Sequence, residues 1–169
     1  NYYNVKNKLI ANISYLAEIG GSCITDLNIK VPTSNLANPN IPVSYVPFRN
    51  ANILSAAVSW AEVILAKYIY VGAVEEDSSG YPDCRRPFFD AFEYTIDTGT
   101  KPETQIKIVT PLISMSKKEI VQKGIAINAP IHLSWSCYER EDKPCRKCDS
   151  CVLRAKGFRQ AGISDPIIK

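Results

Sequence analysis

Four cysteines close together near the carboxyl end constrain the fold of this chain more than any other feature. They follow the pattern Cys137-x7-Cys145-x2-Cys148-x2-Cys151. Four thiolates in one short segment can surround Zn²⁺ as a closed tetrahedron with bonds of about 2.3 Å, which leaves no coordination position for a reactant. The spacing therefore predicts a structural zinc site that ties the loop at Cys137 to the start of the last helix.

Two other interpretations of the cysteine cluster remain open. An iron–sulfur cluster is the main rival, because C-x2-C-x2-C begins the bacterial ferredoxin pattern, although the expected fourth cysteine followed by proline is absent. The four thiols can also be unliganded. His132, five residues before Cys137, is expected to be structural, since four cysteines already complete a zinc site.

The distribution of cysteines also bears on the cellular compartment. Cys23 and Cys84 stand alone while the other four cluster, and the first residues have no secretory pattern, which favours a metal site over disulfides. We therefore expect the reducing cytoplasm. The most apolar stretch, residues 52–74, contains Glu62 and Lys67, so a core helix and a buried strand are predicted rather than a membrane span.

Composition excludes several classes of protein. The 169 residues are 46% hydrophobic and 22% charged, which is enough to bury a core and is not typical of disordered or collagen-like chains. The formal charge of +3 argues against a dedicated nucleic-acid or membrane-surface binder. Met115 is the single methionine and Asn1 the first residue, so we expect an incomplete translation product.

Patterns typical of helices and of short apolar strands alternate along the chain, which implies an α/β fold with a parallel sheet. Residues 2–19 are ambiguous, and 32–47 are predicted to be an irregular loop because of their prolines. Two strands are predicted, over 68–72 and 106–109. A helix of about 16 residues capped by Asn50 precedes the first strand, and a helix with Pro87 in its first turn lies between the two. Two more helices follow: one from the capping box of Ser116 and Glu119 to a stop at Gly124, and one over 149–161 closed by Gly162.

Ligands in such folds bind beyond the carboxyl ends of strands, so the polar loop over 75–86 is a candidate site. Its carboxylates can accept hydrogen bonds from a guanine-like edge or hold Mg²⁺, Arg85 can bind a carboxylate or phosphate, and Tyr81 can stack on a planar ring. A solvated surface loop accounts equally well for the composition. Arg49 and Lys117, near predicted helix starts, can likewise contact an anion or be ordinary surface cations.

Short motifs follow one another in a fixed order: VPFRN (46–50), SGYPDCR (79–85), TPLISMSKKEI (110–120), SWSCY (134–138), CRKCDSC (145–151), LRAKGF (153–158) and AGISDP (161–166). Together they resemble the 7-cyano-7-deazaguanine synthase (QueC) family. The resemblance covers most of the chain from about Val46 onward, while earlier residues match loosely. The SGYPDCR loop and the cysteine block are its most specific parts.

The resemblance implies an adenine-nucleotide α-hydrolase-like (PP-loop) fold, with a Rossmann-like parallel sheet, flanking helices and a structural zinc. It implies an ATP-dependent carbon–nitrogen ligase that uses Mg²⁺ and ATP to convert 7-carboxy-7-deazaguanine and ammonia into the nitrile, through activation of the carboxylate, amide formation and dehydration. The product serves queuosine or archaeosine formation in tRNA, so the link to RNA is metabolic. A homodimer is also implied, with no direct nucleic-acid or membrane partner.

The same resemblance assigns roles to individual residues. The four cysteines become zinc ligands, and Lys117 matches the phosphate-side lysine of PP-loop enzymes. Cys84 is expected to pack in the site wall rather than act as a nucleophile, and no catalytic group can be named. The residues expected to contact substrate or nucleotide are Arg49, Glu75, Asp77, Tyr81, Asp83, Arg85 and Lys117.

The sequence departs from the family at the ATP-binding loop, because no SGGxDS motif is present and Gly20-Gly21-Ser22 lacks the following Asp-Ser. We therefore expect residues 1–169 to form a single α/β domain without its N-terminal ATP-loop unit, in which 134–162 are the zinc-binding segment and the last helix. We expect ATP-dependent activity to require that unit.

Other functions fit parts of the sequence. Another PP-loop enzyme, such as a tRNA-thiolating or amidating enzyme, shares the fold but not the SGYPDCR loop. A QueC-like relative can activate a different carboxylate. A non-enzymatic zinc module that binds RNA or protein accounts for the cysteines and the basic last helix (Arg154, Lys156 and Arg159) but leaves the α/β region unexplained.

Overall fold

Five α-helices and two strands are present in the computed structural model, which describes residues 2–75 and 80–168. None of these helices has the length and continuous apolar character that a membrane-spanning segment requires. In chain order the elements are α1 (Tyr15–Ile19), α2 (Arg49–Val63), β1 (Tyr68–Tyr70), α3 (Arg86–Gly99), β2 (Lys107–Val109), α4 (Lys117–Ala126) and α5 (Asp149–Ala161), with short 3₁₀ turns at Pro82–Cys84 and Ile131–Leu133.

The two strands form a parallel pair, with Ile69 opposite Ile108, and α3 makes the crossover between them. Helices α2 and α3 pack against this pair, which confirms the predicted α/β architecture. The core that they share consists of Leu54, Ala61, Ala73, Phe89, Ile96, Ile106, Ile108 and Ile113.

Strand β1 is less buried than its apolar sequence predicts. Tyr68 and Tyr70 are 59% and 70% exposed, so the prediction of a buried strand is wrong for these two side chains. Successive side chains of a strand point to opposite faces, and Ile69, between them, packs against the core. The described elements therefore cover one face of β1 only.

The first turn of α2 is capped from a distant part of the chain. Phe48 precedes the helix, with φ at 55°, and its side chain makes no capping hydrogen bond. Asn50 lies inside the helix, where its N–H donates to Asp83 Oδ2 at 2.9 Å and its side-chain amide donates to the Asp83 carbonyl at 2.8 Å. The prediction of Asn50 as the cap is wrong, because the Asp83 carboxylate accepts an N–H that the helix itself cannot satisfy.

Helix α4 begins with the predicted capping box. The Glu119 N–H donates to Ser116 Oγ, and the Glu119 carboxylate accepts the Ser116 N–H at 2.8 Å. The helix continues to Ala126, so the prediction that it stops at Gly124 is wrong: Gly124 lies within the last turn, where the Ile131 side chain packs close to it.

Helix α5 has its predicted bounds and closes at Gly162, whose φ of 70° is the left-handed conformation that favours glycine after a helix.

The segment before α2 has little regular structure, in keeping with the loop predicted over 32–47. It is attached to the carboxyl-terminal region at two points. The Ser34 N–H donates to the Lys147 carbonyl at 2.7 Å, and Val31 packs against the cysteine cluster. Residues 31–34 therefore lie beside the cysteine cluster.

Candidate active-site cavity and metal centre

The four clustered cysteines converge at the start of α5. The Sγ atoms of Cys137, Cys145, Cys148 and Cys151 all lie within 4.8 Å of one another, and none of these cysteines forms a disulfide. A tetrahedral site with bonds of about 2.3 Å has ligand–ligand edges of about 3.8 Å. The Sγ atoms of Cys145 and Cys151 are 3.9 Å apart. The arrangement can therefore hold one metal ion, as the spacing predicts.

The backbone around the cluster favours ionised sulfur. The Cys145 N–H points to Cys137 Sγ at 3.3 Å, and the Cys148 N–H points to Cys145 Sγ at 3.4 Å. Burial by itself raises the pKa of Cys137, but three backbone N–H groups, led by that of Cys145, outweigh it and lower the pKa to about 7. The thiolate is the form that binds metals, so the cluster is suited to a cation.

The raised pKa values of Cys145 and Cys151 indicate why a cation would be needed to ionise the whole cluster. Burial raises the pKa of Cys145 and of Cys151, and neighbouring thiols raise both further. Four adjacent thiolates repel one another, so full ionisation requires the positive charge of a metal. Because Cys148 immediately precedes α5 and Cys151 lies in its first turn, such a metal would connect the Cys137 loop to that helix.

A buried ion pair gives α5 a second attachment. Arg154 donates from Nε to Asp165 Oδ2 at 2.6 Å and from Nη2 to Oδ1 at 2.8 Å, and the two side chains are 9% and 6% exposed. Arg154 Nη1 also donates to Ser134 Oγ at 2.8 Å. Sequence reasoning missed this pair, since it placed Arg154 on a basic helix face. The acid in the AGISDP motif was the available signal.

A cavity of about 620 Å³ lies beyond the carboxyl ends of the two strands. This is the place where parallel α/β sheets bind ligands. Residues 72–74 after β1, Leu112 after β2, and helices α4 and α5 form its walls, and much of that surface is apolar. The charged and polar side chains around it belong to Arg49, Tyr81, Cys84, Lys117, Lys123, Ser134, Ser136, Tyr138, Ser150 and Arg154.

The charge of the cavity is one-sided. Among the described residues that line it, Arg49, Lys117, Lys123 and Arg154 are basic and none is acidic. Asp165, outside the lining, balances Arg154. A partly apolar cavity with cations of this kind favours an anionic ligand that also has an apolar surface.

Three of the residues predicted to contact substrate or nucleotide line this cavity: Arg49, Tyr81 and Lys117. Arg85 is exposed and donates from Nη2 to the Gly80 carbonyl at 3.4 Å, away from the lining. Asp77 lies outside the described residues.

Two carboxylates that were predicted to contact a ligand accept hydrogen bonds from the protein backbone. The Glu75 carboxylate accepts the Arg86 N–H at 3.0 Å, and the Asp83 carboxylate, only 4% exposed, accepts the Asn50 N–H. Neither residue lines the cavity. Their observed role is to hold the loop against α2 and α3.

Tyr81 joins three segments of the chain beside the cavity. Its hydroxyl lies 2.8 Å from Ser44 Oγ and 3.3 Å from the Tyr138 hydroxyl, and its ring is 5.8 Å from that of Tyr45. Burial raises the pKa of Tyr81 well above its usual range, so the phenol stays neutral. The ring that was predicted to stack on a ligand packs against Tyr45.

Cys84 is half-buried in the cavity wall, where the side-chain amide of Asn50 donates to its Sγ at 3.3 Å. Burial raises the pKa of the Cys84 thiol. A neutral thiol is a poor nucleophile, so this environment favours the packing role that we predict.

Comparison with known proteins shows which family this sequence resembles. Residues 1–162 match the family described as queuosine biosynthesis protein QueC, and the match includes the segment before Val46. Relatives named 7-cyano-7-deazaguanine synthase include that of Chlorobium chlorochromatii, 57% identical over 99% of this chain and 73% of its own length. Those of Chlorobaculum parvum and Chlorobium phaeobacteroides (strain DSM 266) are 57% and 58% identical over 99% of this chain and 74% of their own lengths.

Proposed function

Because the chain belongs to the QueC family, we propose that it catalyses the ATP-dependent conversion of 7-carboxy-7-deazaguanine and ammonia into 7-cyano-7-deazaguanine. The observation that carries this proposal is identity of 54–58% to enzymes of that name over nearly the whole chain. In this role the protein is a carbon–nitrogen ligase of queuosine or archaeosine biosynthesis.

The cavity supports the proposal through its size and charge. Its volume of about 620 Å³ falls in the range of roughly 300–1,000 Å³ that is usual for small-molecule sites. The carboxylate of the substrate and the phosphates of ATP are both anions, and the described lining contains basic but no acidic side chains. The apolar part of the wall suits the flat face of a heterocycle.

The proposed chemistry needs positioning and charge stabilisation more than a general base. ATP activates the carboxylate, ammonia displaces the activated oxygen to give the amide, and a second activation removes the amide oxygen as the nitrile forms. Arg49 and Lys117 belong to the first turns of α2 and α4, where the helix dipole adds to their positive charge. Both are therefore suited to stabilise negative charge that develops during activation.

The metal in the cysteine cluster is proposed to be zinc, one ion per chain. Four sulfur ligands leave no open position, so its role is structural, while Mg²⁺ accompanies ATP. Elemental analysis of purified protein is expected to find about one zinc per chain, by the four-ligand argument. Iron with visible absorbance in its place would overturn this assignment.

Assembly and location belong to the same proposal. A homodimer in the cytoplasm is expected, with the deazaguanine substrate and ammonia as small-molecule partners and with no direct contact to RNA. Light scattering of the full-length protein measures the oligomeric state.

A second candidate function is that of an RNA-binding zinc module. The basic face of α5 that would support it is reduced, since Arg154 is paired with Asp165. A salt-sensitive mobility shift with RNA would revive it.

The decisive assay mixes the full-length protein with 7-carboxy-7-deazaguanine, ammonia and ATP. Formation of the nitrile, detected by mass spectrometry, should accompany ATP consumption and should stop when any one component is omitted. Substitution of a different carboxylate separates the proposed activity from that of a related enzyme. If neither nitrile formation nor ATP consumption occurs, the proposal is wrong.

A further inference from the structure

Helices α4 and α5 pack against each other, and a buried glycine lies where their backbones approach closely. Gly157 lies within α5, and atoms of Lys117, the first residue of α4, lie directly over it. A methyl group added to Gly157 would stand 2.7 Å from Lys117 Cβ and 3.2 Å from both the carbonyl carbon and the carbonyl oxygen of Lys117. These atoms move only with the backbone, so no change of the lysine rotamer can relieve the contact.

Helix formation gives no reason for a glycine at this position. Glycine in a helix interior is less favourable than alanine, because it loses more backbone freedom on folding. Gly99, at the end of α3, shows the contrast: a methyl group added there meets nothing within 4 Å. Close approach of two helices is what distinguishes Gly157 from Gly99.

The contact connects the metal centre to the cavity. Cys148 and Cys151 of the cysteine cluster lie at the beginning of α5, and Leu153 and Phe158, further along the same helix, line the cavity. Lys117 lines it from α4. The close packing of α5 on α4 at Gly157 therefore influences where the backbone of Lys117 lies relative to the cavity.

We propose that Gly157 is a positioning residue for Lys117, which it sets in place to receive the phosphate groups of ATP by allowing α5 to lie against the first turn of α4. This inference rests on the proposed function, in which Lys117 contacts the nucleotide. Displacement of a substrate-binding group by about 1 Å can reduce catalysis by about a hundredfold. An added methyl group at Gly157 forces a displacement on that scale.

The test compares Gly157→Ala with the matched control Gly99→Ala in the full-length protein, by calorimetric titration with ATP and with inorganic pyrophosphate. Gly157→Ala is expected to bind both about tenfold to a hundredfold more weakly, with zinc content retained. Gly99→Ala should bind them as the wild type does. If the two variants bind ATP equally well, the inference is wrong.

A double-mutant cycle with Lys117→Met separates positioning from a general structural effect. If Gly157 acts through Lys117, adding Gly157→Ala to Lys117→Met should cause no further loss of ATP affinity. Losses that multiply would contradict the inference.

A second pair of substitutions is used if Gly157→Ala fails to fold. Combining it with Lys117→Gly removes the Lys117 Cβ, which lies 2.7 Å from the added methyl group, so this pair is expected to fold. A pair that also fails to fold would contradict the contact.

Failure of this inference and failure of the proposed function give different results. A wild-type protein that binds ATP and forms no nitrile contradicts the function, and the glycine comparison can still be made. A wild-type protein that binds neither ATP nor pyrophosphate overturns the inference directly, because Lys117 then has no anion to receive.

Discussion

The α/β region (residues 49–126) and the carboxyl-terminal region (residues 134–168) line the same cavity but are stabilised in different ways. In the α/β region, apolar side chains from two helices and two strands share one core, in which Phe89 and Ile106 are each 1% exposed. In the carboxyl-terminal region a buried cluster of cysteines lies beside the buried side chains of Leu153 and Phe158, with Cys148 also 1% exposed. One side of the cavity depends on hydrophobic burial, and the other adds a cysteine cluster that can hold a metal ion.

This difference determines how each region should respond to damage. Hydrophobic stabilisation is distributed over many contacts, so the loss of one side chain is graded in proportion to the volume removed. Metal ligation is concentrated in four bonds, so the loss of one ligand affects the whole site. If the cluster holds a metal, the α/β side of the cavity should respond to substitution by degrees, and the cysteine side should lose its metal as a whole.

Cys148→Ala should have the largest effect. Structural zinc contributes an apparent binding free energy of about 10–16 kcal/mol in small zinc domains, and three cysteines cannot complete the tetrahedron. We expect loss of the metal and rapid hydrogen exchange throughout α5 and in α4, which packs against it, while α2, α3 and the two strands keep their protection. Cys23→Ala, which removes a buried cysteine outside the cluster, should retain the metal. A full equivalent of metal in Cys148→Ala would remove the contrast between the regions.

Phe89→Ala should have the next largest effect, and it should be graded. Removal of a fully buried phenyl group costs about 3–5 kcal/mol, whereas Phe89→Leu should cost much less, on the order of 1 kcal/mol. Urea unfolding monitored by circular dichroism measures both. Tyr94→Ala, at an exposed position on the same helix, should change stability by no more than about 0.5 kcal/mol. Loss of metal from the folded Phe89→Leu variant would show that the regions are not independent.

Glu62→Gln should have the smallest effect, visible only as a change in pH dependence. The Lys101 N–H and the Thr104 hydroxyl donate to the Glu62 carboxylate, at 2.9 Å and 2.8 Å, and hold its pKa below its usual value. Because the folded-state pKa is lowered, the stabilisation is present above the usual pKa of about 4.3 and is lost as the pH falls through the folded-state value.

The measurement for Glu62 is the urea midpoint between about pH 6 and pH 3, where a glutamate with a lowered pKa titrates. The midpoint of Glu62→Gln should fall less steeply with acid than that of the wild type. Glu103→Gln, at an exposed position in the loop that follows α3, serves as the control. Identical slopes for the wild type and Glu62→Gln would contradict the role of this carboxylate.

Features set by nearby residues were predictable from the sequence. Short apolar runs alternating with helical patterns gave the parallel pair, and the spacing of four cysteines gave the metal-binding group. The capping box of α4 and the closing Gly162 are likewise local, since both partners lie within one helical turn. For the capping box and the closing glycine the geometry follows from local spacing, whereas the strands, 39 residues apart, were predictable from their apolar pattern.

Features that depend on distant partners were not predictable. Asp83 and Glu75 were expected to face a ligand, but their carboxylates accept backbone N–H groups 33 and 11 residues away. Arg154 was assigned to a basic surface because Asp165, its partner, becomes adjacent only when the segment after α5 folds back. Which partner a charged side chain binds depends on the groups that tertiary packing brings near it. The sequence alone does not show which distant residues become neighbours.

The cap that Asp83 provides has a consequence for the order of events during folding. A cap from an adjacent residue can form together with its helix, but this one first requires closure of a 33-residue loop. The first turn of α2 therefore reaches its final conformation only after the segment of residues 80–85 has docked. Arg49, which lies in that turn, and Tyr81, which lies in that segment, take their places in the same step, so this side of the cavity forms as a unit during folding.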